Sequence, residues 1–165
     1  MADERKYGKY TELFCELQPE QGHDEPYYEQ PFAYFKGDKD VPGAKYRLGL
    51  RVITQPCTLE DEPHYHREEQ YYFFLGKQIP DVFASWDAEI DFYMGETPDD
   101  MEVIHITKPT AIHVPAGMWH GPVIFRRVDK PVFLEDPLFA GKPGAIKRRK
   151  DSSGNDILIF DGGEF

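Results

Sequence analysis

From Pro31 onward the chain is a succession of short runs in which apolar residues recur at every second position, each run cut off by a proline, a glycine or an acidic turn. A period of two belongs to a β-strand, whose side chains alternate between faces. Phe32 to Phe35 is a first apolar run, and Asp38 to Gly43 a turn cluster. Tyr46, Leu48, Leu50 and Val52 then alternate with Arg47, Gly49, Arg51 and Ile53 as far as Pro56. Ile90, Phe92 and Met94 alternate with Glu89, Asp91 and Tyr93 before an acidic turn from Gly95 to Asp100. Further runs follow at 103–106, 123–128, 131–134 and 157–160. With 14 glycines and 14 prolines in 165 residues, this pattern excludes a helical bundle and predicts an all-β domain.

A chain of this length is expected to form one domain, residues 1–165, able to bury roughly 70% of the surface exposed on unfolding. It needs no disulfide framework, and Cys15 and Cys57 read as idle thiols. The polar, proline-punctuated first 30 residues or so read as an extension lying over the core. The net charge of −11 argues against nucleic acid and anionic membranes as partners. The charged N-terminus and the lack of an apolar run of about 18 residues lead to the expectation of a cytoplasmic protein. The basic cluster Lys147-Arg148-Arg149-Lys150 is read as a solvated turn pairing with acidic neighbours.

The chemistry is concentrated in Pro63-His64-Tyr65-His66-Arg67-Glu68-Glu69-Gln70, which leads into the aromatic run Tyr71 to Gly76. Strand parity puts His64 and His66 on one face, with Glu68 and Gln70 continuing it if no bulge intervenes. Pro115-Ala116-Gly117-Met118-Trp119-His120 supplies a third imidazole after a turn fixed by proline and glycine. Tyr72, Phe74, Phe92 and Met94 are candidates for the cavity wall. Tyr65 and Trp119 should point away from the ligands and pack, and the 77–87 connection is read as a rim or lid.

His-x-His, an acceptor side chain, a glycine and then Pro-x-Gly-x-x-His resemble, in that order, the two motifs of the cupin superfamily, with the resemblance spanning about residues 46–138. It implies a double-stranded β-helix of jelly-roll type, with residues 1–45 as an N-terminal extension and one or more strands and 139–165 as a tail ending in a strand. It also implies one divalent transition metal ion (manganese, iron, zinc or nickel) and a homodimer. The family's three histidines fall on His64, His66 and His120. Its fourth ligand, ordinarily glutamate, falls on Gln70. Glu69 is the alternative if a bulge turns it inward; Glu68, or water beside three histidines, completes the set of options.

A metal held by neutral donors keeps its full charge and favours Lewis-acid chemistry on a small carbonyl or enol substrate, of lyase, isomerase or hydrolase type. An iron-dependent dioxygenase and a non-catalytic small-molecule-binding or sensor protein are the alternatives. Glu68, Glu69, Tyr72 and His113 are the candidate acids and bases, with His105 a weaker one.

Overall fold

A computed structural model describes residues 8–20, 25–142 and 144–162. In chain order the strands are β1 (Pro19–Glu20), β2 (Phe32–Phe35), β3 (Leu48–Ile53), β4 (Cys57–Leu59), β5 (His64–Tyr65), β6 (Gln70–Gly76) and β7 (Ala88–Thr97). They continue as β8 (Asp100–Ile106), β9 (Thr110–Val114), β10 (Trp119–Val128), β11 (Val132–Glu135), β12 (Ala145–Lys150) and β13 (Asp156–Asp161). Two antiparallel sheets result, in the orders β1-β2-β3-β11-β6-β9 and β13-β12-β5-β10-β7-β8, with β4 also pairing β10.

The alternation seen in the sequence sets the inner face. Along β6, Gln70, Tyr72, Phe74 and Gly76 are buried and the residues between them half-exposed. Facing them, Ile90, Phe92, Val123 and Phe125 close the core from the other sheet, together with Ile53, Val132 and Leu134. On β3 the inward set is Gly49, Arg51 and Ile53, so a charged residue lies inside while Leu48, Leu50 and Val52 are only half-buried. Arg51 is held there by an ion pair with Asp136 and by the Tyr28 hydroxyl at 3.2 Å. The Asp136 carboxylate also accepts the Gly49 N–H at 3.2 Å, and a Cβ on Gly49 would stand 2.7 Å from that oxygen.

Two readings are corrected. The basic cluster is no solvated turn: it forms most of β12, paired with β5 on one side and β13 on the other, although its ion pairs with Asp161, Asp99, Glu62 and Asp156 do exist. The 77–87 connection follows Gly76, at the end of β6 remote from Gln70, and its Ser85 packs against Gly76. A seven-residue strand spans about 20 Å, so this connection cannot cover the histidines. Residues before 46 supply strands as well as an extension: β1 and β2 enlarge the first sheet, and Tyr28 and Phe32 are buried.

Candidate metal centre

Antiparallel pairing of β5 with β10 sets His64 directly opposite His120. His66 follows β5 immediately, and its carbonyl accepts the Gly117 N–H at 2.8 Å, tying it to the turn before β10. That turn is closed by Met118 N–H to the Pro115 carbonyl at 3.0 Å, with Gly117 at φ +82°, a conformation glycine adopts without strain. One ring nitrogen from each of His64, His66 and His120 lies within 4.8 Å of the others.

The hydrogen bonds decide which nitrogens are available. Nδ1 of His64 donates to the Glu62 carbonyl (3.0 Å), Nδ1 of His66 to the Gly144 carbonyl (2.7 Å) and Nδ1 of His120 to the Met118 carbonyl (3.1 Å). A carbonyl can only accept, so each Nδ1 carries the proton and each neutral ring presents a bare lone pair at Nε2. Burial, and then the adjacent His64, hold His66 and His120 down to about 4, which keeps both rings neutral at ordinary pH. Gln70 reaches the same place, with its Oε1 3.0 Å from Nε2 of His120. The oxygen and the bare nitrogen are both acceptors, and their convergence is what a shared cation would relieve. Three imidazoles and an amide oxygen suit a divalent transition metal.

Tyr72 and Phe92 flank His120, with ring centroids 6.1 and 6.4 Å away, and Phe92 is stacked on it at 6°. Tyr65 and Trp119 pack edge to face with each other at 5.0 Å. Glu68, Glu69 and His113, the candidate acids and bases, are exposed and do not face the cavity. The chain bends at Arg67 and Glu68 between β5 and β6, so strand parity lapses there and resumes at Gln70. Glu68 and Glu69 are exposed, and Glu69 meets His113 at 3.5 Å on the outer surface, where His113 stacks on Tyr71. His113 pairs with Tyr71 across β6 and β9, one position out of phase with inward-facing Tyr72.

The inward carboxylate is instead Glu60. Both of its oxygens accept from the Tyr72 hydroxyl, at 2.9 and 2.7 Å. Burial alone would raise this carboxyl, but the neighbouring His64 and His120 rings and the Tyr72 hydroxyl hold it below the usual carboxylate range. Its backbone sits at φ +50°, strained for a residue with a side chain. The turn carrying it lies against Gly121 (φ +81°), where a Cβ would come within 2.9 Å of the Glu60 carbonyl oxygen. Glu60 separates a pocket of about 290 Å³ over His64 and His66 from one of about 330 Å³ lined by Tyr27, Tyr28, Arg51 and Tyr72. No spacing marks Glu60 among the consecutive acids Glu60, Asp61 and Glu62. The available signal was Tyr72, an inward tyrosine whose buried hydroxyl needs an acceptor.

No protein-family model and no curated protein matches the chain. Solved structures do. An oxalate oxidase aligns with TM-score 0.53 at 13% identity over 82% of this chain and 63% of its own, and an oxalate oxidase in complex with the substrate analogue glycolate with 0.52 at 14% over 81% and 62%. The fold is a cupin. A variant of the Bacillus subtilis oxalate decarboxylase aligns with TM-score 0.51 at 10% identity, over 79% of this chain and 29% of its own. The chain thus spans about three-fifths of the oxidase chains and under a third of the decarboxylase. At such identities the likeness is one of fold. Among the described residues, no helix is long and apolar enough to cross a membrane.

Proposed function

We propose that this cupin is a metal-dependent enzyme acting on a small oxygenated substrate, a carbonyl or enol compound, by non-redox chemistry of lyase, isomerase or hydrolase type. The observation that carries the reading is the pairing of an uncharged donor set, His64, His66, His120 and Gln70, with a separate carboxylate, Glu60, beside it. A divalent ion held there would supply Lewis acidity toward a substrate oxygen, undiminished by ligand charge. Glu60 is the group that takes a proton from substrate or water, being ionised and adjacent. Tyr72 orients it by donating to both oxygens, and burial keeps that phenol protonated. Tyr72 and Phe92 exclude water from the His120 side. Oxalate oxidase and oxalate decarboxylase, by name, act on a small oxygenated acid, in keeping with pockets of this size.

The test is metal analysis of protein purified without chelator, followed by a screen of small carbonyl compounds for proton–deuterium exchange in heavy water, read by NMR. Glu60→Gln should retain the metal and lose exchange by 100-fold or more, on the order expected for removing a general base. Unchanged exchange in that variant would overturn the assignment. Stoichiometric iron with substrate-dependent oxygen uptake would favour a dioxygenase, the second reading, which the oxidase among the structural neighbours supports. Metal without turnover would leave a binding or sensor protein.

A further inference from the structure

Glu60 stands between two spaces, and only the one over His64 and His66 is accounted for by the metal centre. The other, of about 330 Å³, lies between the sheets, with Arg51 and Leu134 from the first and Leu59 and Val123 from the second. Its inner end is formed by buried Tyr72, Val123 and Leu134, and its outer end by exposed Thr58 and Asp61. Along one side runs the segment carrying Glu25, Tyr27 and Tyr28. That segment is tied to β3 by Thr54 N–H to the Tyr27 carbonyl and Glu29 N–H to the Val52 carbonyl, both 2.9 Å. The volume is that of a small-molecule site, and the wall is more polar than most.

The charges facing this space limit what it can take. Arg51 is cancelled by its ion pair with Asp136, while Glu25, Glu60 and Asp61 bring three carboxylates. Across Glu60 the balance has the same sign. Arg47 and Lys147 are set there against Glu60, Asp61, Glu62 and Asp161, so a divalent ion at the histidines would do no more than neutralise that side. An anionic ligand would face carboxylates along its length, and an ammonium passing the rim would meet Arg51 and, beyond Glu60, the ion. Hydroxyl groups meet no such opposition, since each donates to a carboxylate and accepts from an N–H or O–H. Arg51 has donors beyond those bonded to Tyr28 and Asp136, and the Tyr72 oxygen can accept. The edge-to-face rings of Tyr27 and Tyr28, 4.7 Å apart, offer C–H groups an apolar surface.

We propose that this second space is the hydroxyl-binding half of the substrate site, and that the substrate is a neutral polyhydroxylated carbonyl compound, a free pentose or hexose, lying across Glu60 with its carbonyl on the histidine side. Glu60 then lies against the carbons beside the carbonyl, where a C–H proton is acidic enough to be removed. The carbonyl end rests on the metal-dependent reading given above. The hydroxyl end does not, because no histidine is among the described residues lining the second space.

Saturation-transfer NMR on the full chain, with and without chelator, reads binding of free pentoses and hexoses at about 10 mM, where sites of millimolar Kd are occupied. At least one sugar should bind in both forms, and its alditol, which lacks the carbonyl, should bind the chelated protein about as well. In metal-loaded protein the corresponding aldonate and 2-amino sugar should bind about 10-fold more weakly, the order expected when a charge is set against like charges. An aldonate or amino sugar that binds as tightly as the parent sugar, or a panel in which no sugar binds, overturns the proposal. Thr58→Trp, filling the outer end from an exposed strand position, should lose sugar binding and keep its metal. Unchanged binding in that variant would place the sugar elsewhere and overturn the assignment to this space. Asp61→Asn should narrow the gap between sugar and aldonate, and an unchanged gap would overturn the charge argument. Sugar binding without proton–deuterium exchange would leave this space standing and count against Glu60 as the base, whereas exchange on other carbonyl compounds with no sugar binding would do the reverse.

Discussion

At the scale of single residues, the centre is defined by where protons sit. Three backbone carbonyls fix three tautomers and leave three Nε2 lone pairs converging. His66→Ala and His120→Ala should therefore abolish metal retention, whereas Glu69→Gln, altering an exposed side chain, should leave the metal content of purified protein unchanged. Metal loss in that last variant would contradict the placement of Glu69 outside the site. The same burial sets a pH dependence in metal-free protein. In the unfolded chain both rings titrate near 6.5, and in the folded one near 4, so between those values the unfolded state binds more protons. Stability should hold above about pH 6.5 and fall by roughly 1.4 kcal/mol per pH unit per histidine as pH drops toward 4. Urea titrations of chelated protein at several pH values read this directly, and a His66→Gln variant should show a shallower fall. A flat profile in the parent would refute the buried neutral assignment.

At the scale of elements, strand existence was legible and strand orientation only partly so. The period of two located β3 and β7 to within a few residues, because alternation survives wherever one face is buried, and the apolar runs at 32–35 and 157–160 located β2 and β13. His64, His66, Gln70 and His120 were legible from spacing and family resemblance. Glu68 was misplaced because parity was carried through a bend at Arg67 and Glu68 that no proline or glycine announces; Glu69 lies outward because no bulge turns it in, and His113 lies outward because its register sets it opposite Tyr71. Arg51 shows a related limit: the face of β3 that looks apolar in the sequence is not the inner one, since an ion pair to Asp136, far along the chain, makes a buried guanidinium tolerable. Glu60 escaped notice because its inward turn depends on Gly121, a long-range contact. Gly121→Ala should push the 60–62 turn off β10. Strain at a left-handed φ costs about 1–2 kcal/mol, so the urea midpoint should fall and the pH profile of any turnover should shift as Glu60 moves. An unchanged midpoint would mean the turn relaxes freely.

At the scale of the whole molecule, the interior is graded. The histidines lie at one end, Glu60 and Tyr72 next, the Arg51–Asp136 pair beyond them, and the apolar layer of Phe74, Ile90 and Phe125 at the far end. A small substrate entering over His64 therefore meets chemistry before it meets core. The tail is drawn into this gradient by the pairing of β12 with β5 and by the bond from His66 Nδ1 to the Gly144 carbonyl. That bond joins a metal ligand to the peptide just ahead of β12, so the ligand's orientation and the docking of the last hairpin are thermodynamically reciprocal: what steadies one steadies the other. Stripping the metal should raise the rate of limited proteolysis within 139–155, and equal cutting rates with and without chelator would show the two to be uncoupled. Seen this way, the C-terminal hairpin acts as a tell-tale, its protease sensitivity reporting the loading state of a centre it does not itself ligate.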